Sequence, residues 1–187
     1  MIRGVVLCGG ESKRMGRDKG LISLGIANWA ALAFHKLQQL NLPVCVSINP
    51  MQLLEYRSFF SSEQLIMDTT TAKGPLQGLL SVHRKYPDDD LLLLACDMID
   101  MDIKTLKELL ESTTKFPGFD HYLYEQENFI EPLCALYTSA SLKTVYKELI
   151  SDKLPGYAMH KLINRGNYKT FPILNARALN NYNTETI

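Results

Sequence analysis

The sequence contains no apolar stretch near the length of a membrane span, which needs about 20 consecutive apolar residues, so no membrane attachment is expected. It also has no excess of one charge. Twenty Lys and Arg balance twenty Asp and Glu, and that balance argues against nucleic acid as a partner, because nucleic-acid binders carry a basic excess. Cysteines are few and follow no metal or redox spacing. Cys8, Cys45, Cys96 and Cys134 lie far apart, each in or beside an apolar run, and read as buried free thiols. The four histidines, His35, His83, His121 and His160, are scattered without ligand spacing, and no Ser-His pair suggests a nucleophilic triad. There is no internal repeat, low-complexity segment or linker. Met1-Ile2-Arg3-Gly4-Val5 runs straight into a strand and leaves no room for a signal peptide, so the expected compartment is the cytoplasm.

What is present suits one domain over residues 1–187. With 46% hydrophobic and 21% charged residues, the chain can bury a sizeable core. The stretch around which it is organised is Leu7-Cys8-Gly9-Gly10-Glu11-Ser12-Lys13-Arg14-Met15-Gly16-Arg17-Asp18-Lys19-Gly20. Paired glycines after a strand permit a sharp turn and close approach of a ligand to the main chain. Arg14, Arg17 and Lys19 add positive charge, so the loop suits a polyphosphate. It is not a P-loop, since Gly16 is followed by Arg17 and Lys19 by Gly20. Nor is it the dinucleotide fingerprint, because Gly9-Gly10 does not supply Gly-x-Gly-x-x-Gly.

Along the chain, Ile2 to Leu7 reads as a buried strand, Leu21 to Gly25 as a short extended piece with a turn, and Ala27 to Leu40 as a helix. A strand is expected at 44–48, a helix at 51–60 and a strand at 64–67. Gly74-Pro75-Leu76-Gln77-Gly78 opens a helix that runs to about Tyr86 and passes close to a ligand. Leu91 to Ala95 has the continuous apolar character of a central parallel strand. A helix at 102–112, strands at 119–124 and 130–137, a helix at 139–150 capped by Ser139, a helix at 157–164 and a strand at 168–173 complete the reading. Tyr122, Tyr124 and Tyr137 read as strand packing. Alternating strands and helices predict an α/β fold in three layers, with a mostly parallel twisted sheet flanked by helices. Ligands in such sheets bind beyond the carboxyl ends of the strands, where Gly9, Asn49, Asp68 and Asp97 all fall.

Asp97 emerges directly from the apolar run Leu91-Leu92-Leu93-Leu94-Ala95-Cys96. A lone carboxylate there is costly without a partner. It reads as a Mg²⁺ ligand, since this hard cation is held by one or two carboxylates plus substrate phosphates. A helix N-cap, at Asp97 or Asp100, is the structural alternative, and Asp100 and Asp102 read as first-turn carboxylates.

The pattern Leu-x-Gly-Gly-x-Ser-x-Arg-Met-Gly-x-Asp-Lys resembles the signature loop of nucleotidyltransferases, most closely the molybdenum cofactor guanylyltransferases of MobA type. The resemblance covers nearly the whole chain. It implies that the backbone of Leu7, Cys8, Gly9 and Gly10 meets the nucleotide, that Arg14 and Lys19 contact its phosphates, and that Asn49, Asp68 and Gly78 lie on the nucleotide. By the same resemblance Asp97 is the magnesium aspartate. Glu131-Pro132-Leu133-Cys134-Ala135-Leu136-Tyr137 matches a family strand, and Asn181 and Asn183 of Asn181-Tyr182-Asn183-Thr184 match an ending that faces the pterin. Two positions depart: Ile99 stands where the family usually has proline, and Pro155-Gly156 stands where many members have a basic residue, with Lys153 or Lys161 nearby as substitutes.

The implied fold is a Rossmann-like nucleotidyltransferase. The implied reaction transfers GMP from GTP to molybdopterin, forms molybdopterin guanine dinucleotide and releases pyrophosphate, with Arg14, Lys19 and Asp97 as catalytic groups and Mg²⁺ as cofactor. GTP and molybdopterin would be the substrates, with molybdoenzyme-specific chaperones and other cofactor-biosynthesis proteins as partners. Two alternatives stay open: a related transferase using CTP with molybdopterin or an NTP with a sugar phosphate, and a non-catalytic nucleotide-binding protein that delivers the cofactor.

Overall fold

In the computed structural model the described residues are 1–9, 18–173, 175–180 and 182. The first strand, β1 (Ile2–Leu7), is followed by a short 3-10 turn at Lys19–Leu21, a small hairpin of β2 (Ser23–Leu24) and β3 (Ala27–Asn28), and helix α1 (Trp29–Gln38). Asn28 starts that helix by accepting a 2.8 Å hydrogen bond from the Ala31 amide. Next come β4 (Val44–Ile48), a 3-10 turn at Pro50–Gln52, α2 (Leu53–Tyr56), β5 (Leu65–Met67), α3 (Pro75–Lys85) and β6 (Asp90–Ala95). The remainder is α4 (Ile103–Lys115), β7 (His121–Gln126), β8 (Phe129–Tyr137), α5 (Ser139–Ile150), α6 (Met159–Arg165), β9 (Tyr168–Pro172) and a 3-10 turn at Ala176–Leu179.

Seven strands form one sheet in the order β5-β4-β1-β6-β8-β7-β9. The pairings β1–β4, β1–β6, β4–β5 and β7–β9 are parallel, while β8 runs antiparallel to both β6 and β7. Strand alternation divides the apolar runs between two cores. Val6, Leu92 and Leu94 face α1, α2 and α4 on one side, through Phe34, Leu37, Tyr56 and Leu106. Val5, Leu91 and Leu93 face α3, α5 and α6 on the other, through Leu76, Leu79, Leu142 and Ile163. Leu91 to Leu94 are fully buried, and each contributes roughly 1.5–3 kcal/mol of apolar transfer. The result is the expected three layers.

Several local expectations need correction. The stretch 51–60 is not one helix. Its α-helical part is only Leu53–Tyr56, and it continues through tightened turns, Ser58 N to Glu55 O and Phe59 N to Tyr56 O. The cap of α5 is Thr138 rather than Ser139, its hydroxyl accepting from the Ser141 amide. Asp102, not Asp97 or Asp100, caps α4, with its Oδ1 2.8 Å from the Thr105 amide. The tyrosines are in the core as expected, but each hydroxyl is anchored: Tyr122 to Phe116 O, Tyr124 to Thr105 O and Tyr137 to Pro132 O.

The chain leaves β1 through α1 to β4 and β5 on one side, then returns through α3, on the opposite face, to β6 on the other. The strand order therefore switches direction at β1. In sheets of this kind ligands bind at such a switch point, here the carboxyl end of β1 between β4 and β6.

Candidate functional site

The site is assembled from the ends of four parallel strands. From β1 come Cys8 and Gly9, from β4 Ser47 and Asn49, from β5 Asp68, and from β6 Cys96 and Asp97. The segment that returns from the phosphate-loop region brings Lys19 over this edge. Its Nζ lies 2.9 Å from Asp97 Oδ2, and both side chains are largely but not wholly covered, 22% and 14% exposed. The two residues singled out as cation and metal ligand thus meet at the switch point. Among the described residues no three His, Cys, Asp or Glu side chains gather into a metal cage. Asp97 offers carboxylate oxygen, a donor type that suits a hard divalent ion whose other ligands are phosphate and water.

The loop that presents Asp97 is held from several directions. Tyr182 donates its amide to Asp97 O at 3.2 Å and its hydroxyl to Asp100 Oδ2 at 2.6 Å. Lys36 Nζ donates to Ile99 O, and Asn175 Nδ2 donates to Asp102 Oδ2. Asp100 and Asp102 are therefore structural anchors here. Tyr182 belongs to the Asn-Tyr-Asn-Thr stretch, so this part of the chain reaches the loop that carries Asp97. Asn181 and Asn183 themselves lie outside the described residues, as do Gly10 and Arg14.

The amides of Cys8 and Gly9 are engaged within the sheet. Both donate to Ser47 O, at 2.9 and 3.1 Å, and extend the β1–β4 ladder. Leu7 is likewise a buried core residue whose carbonyl accepts from the Cys96 amide. What Gly9 contributes is room: a Cβ there would lie 2.5 Å from Asp68 Oδ2. Gly78 does the same from α3, where a Cβ would come within 2.5 Å of both Leu7 Cδ1 and Ser47 Oγ. Between these two glycines sits Asp68, which accepts a 2.8 Å hydrogen bond from Ser47 Oγ. Burial pushes its carboxyl up to about 6, and the Ser47 hydroxyl opposes that shift. Gly74, at φ 62, turns the chain into α3, a left-handed conformation that glycine adopts without strain.

Asn49 stands at the same edge, but its side-chain Oδ1 caps the following 3-10 turn by accepting from the Met51 amide at 2.9 Å. Its partner in a reciprocal capping box is Gln52, whose Oε1 accepts from the Asn49 amide. Gln52 Nε2 then donates to Cys8 O at 3.1 Å and to Asp18 Oδ2. Asp18 Oδ1 accepts from the Gly20 amide and from the Tyr56 hydroxyl, at 2.9 and 3.0 Å. Ser47, Gln52, Tyr56 and Tyr182 were not foreseen as parts of the site. Gln52 had a signal, since Asn-x-x-Gln is the spacing of a capping box. The Cys8 thiol is pushed up chiefly by burial, with Cys96 beside it adding to the shift, which favours the protonated form.

Residues 4–166 match the family model described as MobA-like NTP transferase domain. A protein named probable molybdenum cofactor guanylyltransferase from Flavobacterium johnsoniae is 24% identical over 183 residues, spanning 95% of this chain and 93% of that protein. A molybdenum cofactor biosynthesis bifunctional protein from Synechocystis is 27% identical over 144 residues, which are 77% of this chain and 41% of that longer protein. The crystal structure of molybdopterin-guanine dinucleotide biosynthesis protein A from Archaeoglobus fulgidus superposes with a TM-score of 0.79 at 18% identity, covering 98% of this chain and 93% of that one. A Mycobacterium tuberculosis structure of the same fold, in complex with manganese, matches with a TM-score of 0.65 at 14% identity over 92% of this chain and 88% of its own.

Proposed function

The chain belongs to the MobA-like NTP transferase domain family, and from that premise we propose that it transfers GMP from GTP to molybdopterin, forming molybdopterin guanine dinucleotide and pyrophosphate. The observation that carries this reading is the meeting of Lys19 and Asp97 at the switch point of the sheet. The whole chain acts as one nucleotidyltransferase domain in the cytoplasm, and cofactor-biosynthesis proteins and molybdoenzyme chaperones take its product.

In the reaction an oxygen of the molybdopterin phosphate attacks the α-phosphorus of GTP. A new P–O bond forms, and the bond from the α-phosphorus to the bridging oxygen of the β-phosphate breaks. An ionised phosphate is already a nucleophile, so no side chain has to remove a proton. This fits the described part of the site, where no Ser-His pair is present and burial keeps the Cys8 thiol protonated. The work left to the protein is alignment and charge neutralisation. Lys19 leaves Asp97 for the triphosphate and faces the charge that builds toward pyrophosphate. Arg14 joins it from the loop. Asp97 provides the carboxylate for Mg²⁺, which when bound neutralises phosphate oxygens and orients them for in-line displacement. Each well-placed cation contributes roughly 3–4 kcal/mol to lowering the barrier. Asp68, once ionised, offers two acceptors to the N–H groups on the edge of guanine, and Asn49 and Gly78 shape the same wall. Asn181 and Asn183 face the pterin.

The test is turnover with molybdopterin, Mg²⁺ and each of GTP, CTP, ATP and UTP, followed by pyrophosphate release. Turnover with GTP alone is expected. Preference for CTP would reassign the base, and nucleotide binding without release would favour a delivery protein.

A further inference from the structure

Lys19 reaches Asp97 from a turn that has little core of its own: of its three residues, only Gly20 is buried. Leu21 packs against the core at one end of the turn, and the side chain before the turn fastens the other. Asp18 accepts from the Gly20 amide, from the Tyr56 hydroxyl on α2 and from Gln52 Nε2 in the turn after β4. Gln52 reaches three backbone segments at once. It accepts from the Asn49 amide, donates to Cys8 O at the end of β1, and donates to Asp18. Both hydrogens of its amide nitrogen are thereby engaged. Gly20 closes against the same post, since a Cβ there would lie 2.1 Å from the Tyr56 hydroxyl oxygen. Tyr56 is fully buried, so it gives the arrangement a rigid base.

We infer that Gln52, acting through Asp18 and supported by Tyr56, is a positioning residue that sets where the Lys19 ammonium stands relative to Asp97. None of the three needs to touch the nucleotide. The inference rests on the reading of Lys19 as the phosphate-binding cation. It is chemically specific: a carboxylate with two acceptor oxygens is gripped from both sides by neutral donors, and the residue that follows it carries the charge. An amide side chain is suited to this, because one end can hold the capping box while the other holds the carboxylate.

The experiment is a double-mutant cycle on full-length protein, with GTP affinity measured calorimetrically without acceptor and kcat and KM measured with it. Gln52→Leu is expected to raise KM for GTP and lower kcat/KM by about tenfold. In a Lys19→Ala background the same substitution is expected to change kcat/KM by less than about twofold, because the group it positions is gone. Tyr56→Phe, which removes one hydroxyl only, should show a smaller loss with the same dependence on Lys19, and it carries the test if Gln52→Leu fails to fold. Equal losses in both backgrounds, or no loss in either, would overturn the inference. If Lys19→Ala alone leaves GTP affinity and kcat/KM unchanged, the reading of Lys19 fails instead.

Discussion

Lys19 and Asp97, 78 residues apart in the sequence, form an ion pair at 2.9 Å on the carboxyl edge of the sheet. The same carboxylate oxygen cannot serve an ammonium and a divalent cation equally well, so the two compete for it. Replacing Lys19 with Met should strengthen binding of Mn²⁺ alone several-fold while weakening binding of GTP. Calorimetric titration of each ligand separately reads both effects. Unchanged Mn²⁺ affinity would show that the pair exerts no hold on the carboxylate.

Asp97→Ala should abolish GTP-dependent pyrophosphate release yet leave the protein folded. The ion pair it removes is largely but not wholly covered, so its loss costs more than the ~0.2–1 kcal/mol of an exposed pair but stays small beside the core that holds the sheet. A thermal midpoint within a few degrees of wild type, together with lost turnover, is the expected outcome. Retained turnover would remove Asp97 from the metal site.

Gly78→Ala pits two effects against each other. Alanine favours an exposed helix interior by about 1 kcal/mol over glycine. Here, however, the added methyl would stand 2.5 Å from Leu7 Cδ1 and Ser47 Oγ, on the pair that holds Asp68. Overpacking of this kind costs about 1–3 kcal/mol. The variant should be less stable in urea titration and bind GTP more weakly.

On the proposed reading of Asp68 as a nucleotide contact, GTP binding should depend on pH. Burial raises its folded value to about 6 from an ordinary 3.8. Between those values the folded protein holds a proton that the unfolded chain has released, so this group's contribution to stability falls as pH rises from about 4 to about 6. Ionisation is also what lets the carboxylate accept from guanine. GTP affinity should therefore weaken below about pH 6, and Asp68→Asn should flatten that dependence. An unchanged profile in the variant would remove Asp68 from the nucleotide wall.

His121 should act in the opposite sense. It is buried against Tyr137, its Nδ1 makes no hydrogen bond, and burial lowers its value to about 4 from 6.5. The unfolded chain takes up a proton here before the folded one does, so stability is lost as pH falls from about 6.5 toward 4. The difference corresponds to at most about 3 kcal/mol. His121→Gln should lessen acid sensitivity in denaturant titrations across that window.

Much of this architecture was legible from residue pattern. The Leu91–Ala95 run is a buried central strand because nothing in it could face water, and parallel strands covered on both sides look like that. Asn49, Asp68 and Asp97 were legible as one edge because each ends a strand in a parallel arrangement. What escaped was the part that depends on contacts distant in sequence. Cys8 and Gly9 lose their amides to Ser47, 39 and 38 residues away, through a register no local pattern reveals. The role of Asp18 rests on Gln52 and Tyr56, whose side chains look like ordinary surface and core residues until α2 is folded against β1. The antiparallel placement of β8 between β6 and β7 was equally hidden, although the Glu127-Asn128 hairpin, with φ of 51 and 66, supplies its turn.

The hydrogen bonds from Tyr182 to Asp97 and Asp100 make assembly of the cleft a late event. A chain still emerging from the ribosome can build the central strands and bring Lys19 into place well before residue 182 is available. The loop bearing Asp97 gains its last two hydrogen bonds when that tyrosine arrives. Order in the acidic loop therefore waits on a residue 85 positions downstream of Asp97, and trimming back past residue 182 should loosen that loop while sparing the sheet beneath it.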